Sequence, residues 1–333
     1  MSDSFKLDID LDREGRHDGY LRVKASSEHS PFGISMVPIT SIRRGAGPCI
    51  IVIGGCHGDE YEGQLIARSL LACVEPESVT GQIIVLPAAN PAAVRAGRRY
   101  SPADNGNLNT AFPGKIDGTA TQRIARFMES VLLPRADLVI DIHSGGKPVQ
   151  YFPSVMLSAA AQGTRRDELV ALVESFGLPV AFFVDKEDQT PSSILGACDR
   201  AGVLNISAEI GGGGCVQRPD LDAGLAGILR VLGTMGVLSP PYPKEVEKVS
   251  VMRRLPVSAT VLAPQDGLFE PRVELGDTVE AGALAGFLHD MGAPWKPPAP
   301  VFFTDPGFVL CRRLSVVAEA GDGLFKLAVP MEV

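Results

Sequence analysis

The sequence predicts an α/β fold, a mostly parallel or mixed sheet flanked by helices, with a small all-β module at the C-terminal end. Short apolar runs rich in Val and Ile indicate strands that are buried on both faces. Such runs lie at 49–53, 83–86, 138–142, 180–184 and 203–206. Helix-like segments alternate with them, at about 62–73, 119–133, 165–176 and 220–232. This alternation predicts a sheet covered by helices, with ligands at the carboxyl ends of the strands.

The chain divides into four regions. Residues 1–44 alternate apolar and polar side chains, which predicts half-exposed strands joined to the main domain at 45–238. Within that domain, Thr119 and Gln122 have the spacing of a helix-capping pair. Residues 239–250 are rich in proline and charge and are interpreted as a linker, and 251–333 form the β module.

The β module contains two glycine-rich half-repeats, one beginning near Ala263 and a weaker one near Asp305. Such a repeat predicts a small barrel or sandwich, and the segment resembles the lipoyl/biotinyl type of domain. Carriers of that type present a modified lysine between the two halves. Here the connecting region offers only Lys296, beside Trp295 and two prolines, so we expect a structural or site-capping module and keep a carrier as the alternative.

Composition narrows the range of partners. The 333 residues carry a formal net charge of −8, which argues against binding to nucleic acid or to an anionic membrane surface. No apolar run approaches the eighteen or so residues that would span a bilayer, and the N-terminus lacks the pattern of a signal peptide. We therefore expect a cytoplasmic protein that acts on a small molecule, and we leave a homo-oligomer possible.

A candidate metal site follows two of the predicted strands. His57 and Glu60 come just after the first run and are preceded by two glycines that permit a tight turn, and His143 ends the run at 138–142. Two imidazoles and one carboxylate leave a fourth position open, which is the pattern of a catalytic zinc site. We predict one Zn²⁺ per chain, with Asp141 orienting a ligand imidazole. The other three histidines, at 17, 29 and 289, are assigned to surface or structural positions.

A third predicted strand ends in Glu209, followed by four glycines. A buried glutamate at the end of a strand is costly unless it has a partner or a function. It is either one half of a structural ion pair or a general base that removes a proton from water at the metal.

Taken together, these motifs resemble the succinylglutamate desuccinylase/aspartoacylase family, which has a zinc-carboxypeptidase-like fold. The resemblance covers about 45–240 and includes Asn90-Pro91, Arg99-Tyr100 and the stretch 105–114. It implies zinc ligation by His57, Glu60 and His143. It also implies that Glu209 is the base and that Arg99 steadies the substrate carbonyl.

One residue departs from the family pattern. Relatives commonly have Arg after the Asn that corresponds to Asn109, and in them the pair binds the substrate's carboxylate; this chain has Thr110. A hydroxyl cannot replace the bidentate charged contact of a guanidinium. Asn109 and Thr110 are therefore candidate substrate-binding residues, and Arg98, Lys147 or Arg95 is a candidate source of the missing charge.

The resemblance implies zinc-dependent hydrolysis of the amide bond of a small N-acylated amino acid or related amine. The segment Asp141-Ile-His143-Ser-Gly-Gly also resembles deacetylases of N-acetylated diamino acids. Two alternatives remain: a carboxypeptidase-like peptidase with the same metal chemistry, and a non-catalytic binding module on the same fold.

Overall fold

The computed structural model describes residues 4–26, 30–159, 163–246 and 248–331. Its helices are α1 (Tyr61–Cys73), α2 (Pro91–Ala96), α3 (Ala120–Phe127), α4 (Thr164–Phe176), α5 (Ile194–Ala201) and α6 (Arg218–Thr234). The strands before residue 240 are β1 (Phe5–Leu7), β2 (Gly15–Lys24), β3 (Ile34–Arg44), β4 (Cys49–Gly54), β5 (Gly81–Leu86), β6 (Leu138–His143), β7 (Val149–Ser158), β8 (Val180–Val184) and β9 (Leu204–Gly212). Within the described residues, no helix is long and apolar enough to cross a membrane.

The central sheet is mixed. Strand β4 lies between β5 and β6, and β9 follows β6, with all three pairings parallel. Strand β3 joins β5 antiparallel, and β7 joins β9 antiparallel. Every residue of β4, β5 and β6 is buried, as expected of strands covered on both faces. The expected mixed α/β fold is confirmed.

Helices cover both faces of this sheet. Helices α1, α4 and α6 pack on one face through residues such as Ile66, Val173 and Ile228, and α3 and α5 pack on the other through Ile124 and Ala197. Burying a large aliphatic side chain contributes about 1.5–3 kcal/mol, so both faces hold the strand ends firmly. The predicted cap of α3 is confirmed, since the Thr119 and Gln122 side chains form a reciprocal capping box.

The C-terminal strands are β10 (Ser250–Arg254), β11 (Val261–Leu262), β12 (Gly267–Pro271), β13 (Thr278–Val279), β14 (Leu284–His289), β15 (Ala299–Phe302), β16 (Gly307–Arg313), β17 (Val317–Ala318) and β18 (Gly323–Pro330). Within the described residues from 251 onward there is no α-helix, so the expected strand-rich C-terminal region is confirmed. Strands β12, β14, β15 and β17 make a separate four-stranded sheet.

The other long C-terminal strands continue the central sheet. Strand β10 pairs in parallel with β8, β18 pairs with β10, and β16 pairs with both β18 and β7. Strands β7, β8, β10, β18 and β16 therefore form a closed ring. The ring is filled by apolar side chains such as Phe182, Met252 and Leu310. Because hydrogen bonds cross from the main region into the C-terminal region, the boundaries at 238–251 stay predictions.

Candidate active site

The candidate site lies where β4, β6 and β9 end side by side. Because the three strands are parallel, their carboxyl ends meet at one edge of the sheet, and His143 and Glu209 are direct partners in the β6–β9 register. The turn after β4 depends on glycine. Gly55 has a φ of +68°, and a Cβ on Gly54 would lie 2.4 Å from the backbone oxygen of Gly63.

His57, Glu60 and His143 converge on one point. The Nδ1 atom of His57 lies 2.6 Å from one carboxylate oxygen of Glu60, and the Nδ1 atom of His143 lies 2.8 Å from the other. One ligand atom from each of the three lies within 4.8 Å of the others, and all three residues are buried. The three predicted ligands are thus brought together, close enough to share one ion.

The outer nitrogens of both imidazoles have acceptor partners. His57 Nε2 lies 3.0 Å from Asn107 Oδ1, and His143 Nε2 lies 2.7 Å from Asp141 Oδ2. These partners favour the tautomer with the proton on Nε2, which leaves the Nδ1 lone pairs facing the Glu60 carboxylate. Lone pairs and an anion at such distances require positive charge between them, which either a metal ion or protons on the imidazoles can supply. The donor set therefore fits a divalent metal ion such as zinc.

The charges at this cluster are strongly coupled. Burial by itself would raise the pKa of Glu60, but the charge of His143 and His57 outweighs it, and the pKa of Glu60 falls well below its usual range. Burial would likewise lower the pKa of His143, but the carboxylates of Asp141 and Glu60 raise it well above its usual value. Arg99 also contacts Glu60, at 3.2 Å. Glu60 is thus held ionised, the state in which a carboxylate binds a metal.

Glu209 is in the opposite situation. It is 9% exposed, and burial raises its pKa to about 8 from 4.5, although the charge of His143 opposes the shift. Among the described residues no cationic side chain forms an ion pair with it. The structural ion pair considered from the sequence is therefore not found. A raised pKa beside a group of candidate metal ligands is typical of a residue that exchanges protons near neutral pH.

A cavity of about 370 Å³ opens over this cluster. From the sheet side it is lined by His57, Glu60, Arg99, Asn109, His143, Ser144, Gly145, Pro148, Val149, Tyr151 and Glu209. From the C-terminal side it is lined by Thr260, Cys311, Arg313, Gly323, Leu324, Phe325 and Lys326. Its size falls in the range of small-molecule sites.

The predicted substrate-binding residues are divided between the cavity and its surroundings. Asn109 lines the cavity, and its Oδ1 accepts a 3.3 Å hydrogen bond from the backbone N–H of Ile194. Thr110, Arg98 and Lys147 do not line it. Thr110 Oγ1 donates to the carbonyl of Asn107 at 3.3 Å, and Lys147 Nζ donates to that of Gly97 at 2.6 Å. The candidate substitutes for the missing Arg therefore lie outside the cavity.

The structure also adds residues that the sequence did not single out. Asn107, which holds His57, lies inside the quoted 105–114 motif and could have been found there. Tyr151, Arg313 and Lys326 reach the cavity only through the pairing of β7, β16 and β18, which no local pattern announces. Of the remaining histidines, His17 contacts the Glu14 carbonyl and His289 the Glu270 carboxylate, while position 29 lies outside the described residues.

A family model and a relative of known name both match this chain over most of the main domain. The catalytic-domain model of the succinylglutamate desuccinylase/aspartoacylase family matches residues 46–235. Over 97% of this chain and 94% of the relative, the sequence is 31% identical to an N-alpha-acetyl-L-2,4-diaminobutyric acid deacetylase from Halomonas elongata.

Two solved structures each align with 99% of this chain, and 99% of each structure's own length is covered. One is a succinylglutamate desuccinylase/aspartoacylase from Rhodobacter sphaeroides, with a TM-score of 0.92 and 33% identity. The other is the product-bound ectoine utilization protein EutE (DoeB) from Ruegeria pomeroyi, with a TM-score of 0.93 and 32% identity.

Proposed function

The chain belongs to the succinylglutamate desuccinylase/aspartoacylase family, and from this we propose that it hydrolyses the amide bond of a small N-acylated amino acid or related amine, using one bound zinc ion. The observation that carries the proposal is the buried His57–Glu60–His143 cluster, with both Nδ1 atoms against one carboxylate, at the base of a cavity that also contains Glu209. The name of the Halomonas relative supports a finer proposal, deacetylation of an N-acetylated diamino acid.

His57, Glu60 and His143 would hold the metal, and Asn107 and Asp141 would orient the two imidazoles through Nε2. Zinc bound there would supply Lewis acidity, making a water molecule more acidic and polarising the amide carbonyl. Because the three ligands are buried, water screens such electrostatic effects less than it would at the surface.

Glu209 then acts as the proton carrier. It accepts the proton of the attacking water as the new C–O bond forms, and it donates that proton to the amine nitrogen as the C–N bond breaks. Its surroundings support both halves of this role, because burial favours the protonated form while positive charge beside it favours the ionised form. The products are a carboxylic acid and a free amine.

Arg99 lines the cavity beside Glu60, and half of its side chain is exposed. We propose that its guanidinium stabilises negative charge developing on the carbonyl oxygen. Asn109 is proposed as a substrate contact because it lines the same cavity. Roles for Arg98, Thr110 and Lys147 stay predictions, because none of the three lines the cavity.

The C-terminal strands are proposed to limit the size of the substrate, since they form one wall of the cavity. A lipoyl-like fold for this region, a carboxypeptidase-like topology for the main sheet and a cytoplasmic location also stay predictions. Lys296 is exposed, and we expect it to carry no lipoyl or biotinyl group.

A substrate panel tests the proposal. The purified protein should contain about one zinc per chain and should release the acid from N-acetyl or N-succinyl amino acids, with diamino acids included. Removing zinc with a chelator should abolish turnover, and adding it back should restore turnover. Preferential release of C-terminal residues from peptides would favour the peptidase, and zinc-loaded protein that turns over no substrate would favour the binding module.

A further inference from the structure

Three cationic side chains line the cavity, and they differ in how they are held. Arg99 contacts Glu60 at 3.2 Å. Arg313 is held by an ion pair to Asp322 at 2.9 Å and by hydrogen bonds to two backbone carbonyls. Lys326, by contrast, forms no ion pair or hydrogen bond through its ammonium group with any described residue. Of these three cations, Lys326 is the one with no carboxylate partner at ion-pair distance among the described residues.

The position of Lys326 is fixed by strand pairing. Lys326 on β18 is the direct partner of Cys311 on β16, and Cys311 is the partner of Tyr151 on β7. Tyr151 in turn pairs with Gly211 on β9, two residues beyond Glu209. Lys326, Cys311 and Tyr151 all line the cavity, so this row of side chains runs from the C-terminal wall to the catalytic edge. Adjacent strands are about 4.8 Å apart, and three such steps separate Lys326 on the C-terminal wall from strand β9.

The surroundings of Lys326 are unfavourable to a cation. Burial lowers its pKa, and the nearby positive charge of Arg254 lowers it further. Arg254 lies on the neighbouring strand, β10, where it pairs with Ala328, two positions from Lys326. It faces a smaller cavity of about 120 Å³ behind His143 and lies 3.9 Å from Asp188. The Cys311 thiol and the carboxyl groups of Asp188 and Glu209 offset these effects only in part, so the pKa of Lys326 stays lowered. An incoming anion would therefore stabilise the ammonium group.

We propose that Lys326 binds the carboxylate of the substrate and so makes the enzyme selective for N-acyl amino acids over neutral N-acyl amines. The inference rests on the proposed function. In this arrangement the amide is held at the His57–Glu60–His143 end of the cavity and the carboxylate at the opposite wall. The selectivity comes from the C-terminal strands and needs no cation from position 98, 110 or 147.

The test compares an N-acetyl amino acid with its carboxamide, which is identical except for the negative charge. In Lys326→Gln, kcat/KM for the acid should fall about 10- to 100-fold, mainly through KM, the usual effect of losing a charged hydrogen bond. Turnover of the carboxamide should stay within about twofold, which also reports that the variant is folded. Lys326→Arg should recover part of the preference, and the exposed Lys296→Gln should behave as wild type.

Two outcomes would overturn the inference. One is an equal loss for acid and carboxamide in Lys326→Gln, as expected of a structural or proton-transferring lysine. The other is a selective loss in Lys147→Gln or Arg98→Gln but not in Lys326→Gln. If the wild type hydrolyses neither compound, the proposed function fails, and calorimetric binding of the N-acetyl amino acid to the zinc-loaded protein still decides. Weaker binding in Lys326→Gln would support the carboxylate contact, and unchanged binding would refute it.

Discussion

The two sides of the cavity are built in different ways. On one side, β4, β6 and β9 are adjacent parallel strands whose residues are almost all buried, and the candidate chemistry follows directly from their ends. On the other side, β16 and β18 are antiparallel strands with partly exposed residues, and Lys326 projects from the middle of one of them. Side chains pack on both faces of β4, β6 and β9. Strands β16 and β18 have one face turned towards the cavity.

This difference suggests a division of labour. A catalytic group must keep its geometry to within a fraction of an ångström, and a doubly covered sheet edge provides that. On a wall of paired strands, single side chains that face the cavity can be replaced without disturbing the His57–Glu60–His143 cluster. We therefore expect substitutions at the sheet edge to affect turnover of every substrate, and substitutions on the C-terminal wall to affect the choice among substrates.

The largest effect is expected from removing a ligand at the sheet edge. His57→Ala or His143→Ala should lose most of the bound zinc and nearly all activity on any substrate, because two of the three donors cannot enclose the ion. Metal content by elemental analysis and turnover of an N-acyl amino acid are the measurements. His289→Ala, which removes a half-exposed histidine paired with Glu270, is the matched control. Full zinc occupancy in both ligand variants would refute the assigned site.

The next effect separates chemistry from metal binding at the same edge. Glu209→Gln should retain zinc, since the substituted side chain would lie beside the ligands rather than among them, and should slow turnover by roughly 10²–10⁴. The loss should be equal for acid and carboxamide substrates, in contrast to Lys326→Gln. The exposed Glu319→Gln serves as a control. Wild-type turnover in Glu209→Gln would require a different base.

The same carboxyl group gives a prediction about stability. In the metal-free protein the pKa of Glu209 is raised to about 8 from 4.5, so the folded state keeps the proton while the unfolded state loses it. The free energy of unfolding should therefore fall by up to about 1.4 kcal/mol per pH unit as pH rises from 4.5 towards 8. Glu209→Gln cannot ionise, so its stability advantage should grow over that window and level off above it. Urea unfolding of both metal-free proteins from mildly acidic to mildly alkaline pH measures this, and parallel curves would contradict it.

The sequence predicts the side of the cavity formed by β4, β6 and β9 better than the side formed by the C-terminal strands. Four candidate residues each follow an apolar run: His57, Glu60, His143 and Glu209. Because the carboxyl ends of parallel strands meet at one edge of a sheet, the sequence alone predicts that these side chains lie close together. Strand β7 and helix α5 are not predicted, because neither has a clear period of its own in the sequence. The contribution of Lys326 depends on the registers of β18 with β16 and of β16 with β7, and pairing between strands so far apart along the chain is not encoded in any local pattern.

The smallest effect is expected at Thr110, where the chain departs from its relatives. Its side chain is exposed and donates to the Asn107 carbonyl, so it contributes no charge to the cavity. If the C-terminal wall supplies the carboxylate contact, Thr110→Arg should change the acid-to-carboxamide ratio of kcat/KM by less than about threefold when Lys326 is intact, because the carboxylate already has its cation. In a Lys326→Gln background the same change should restore up to about tenfold of the lost preference, because a long guanidinium can reach a site that no longer has its own cation. Comparing the four proteins in this double-mutant cycle gives the coupling between the two walls. A large gain from Thr110→Arg with Lys326 intact would show that the carboxylate is bound on the sheet side, and the division of labour between the two walls would fail.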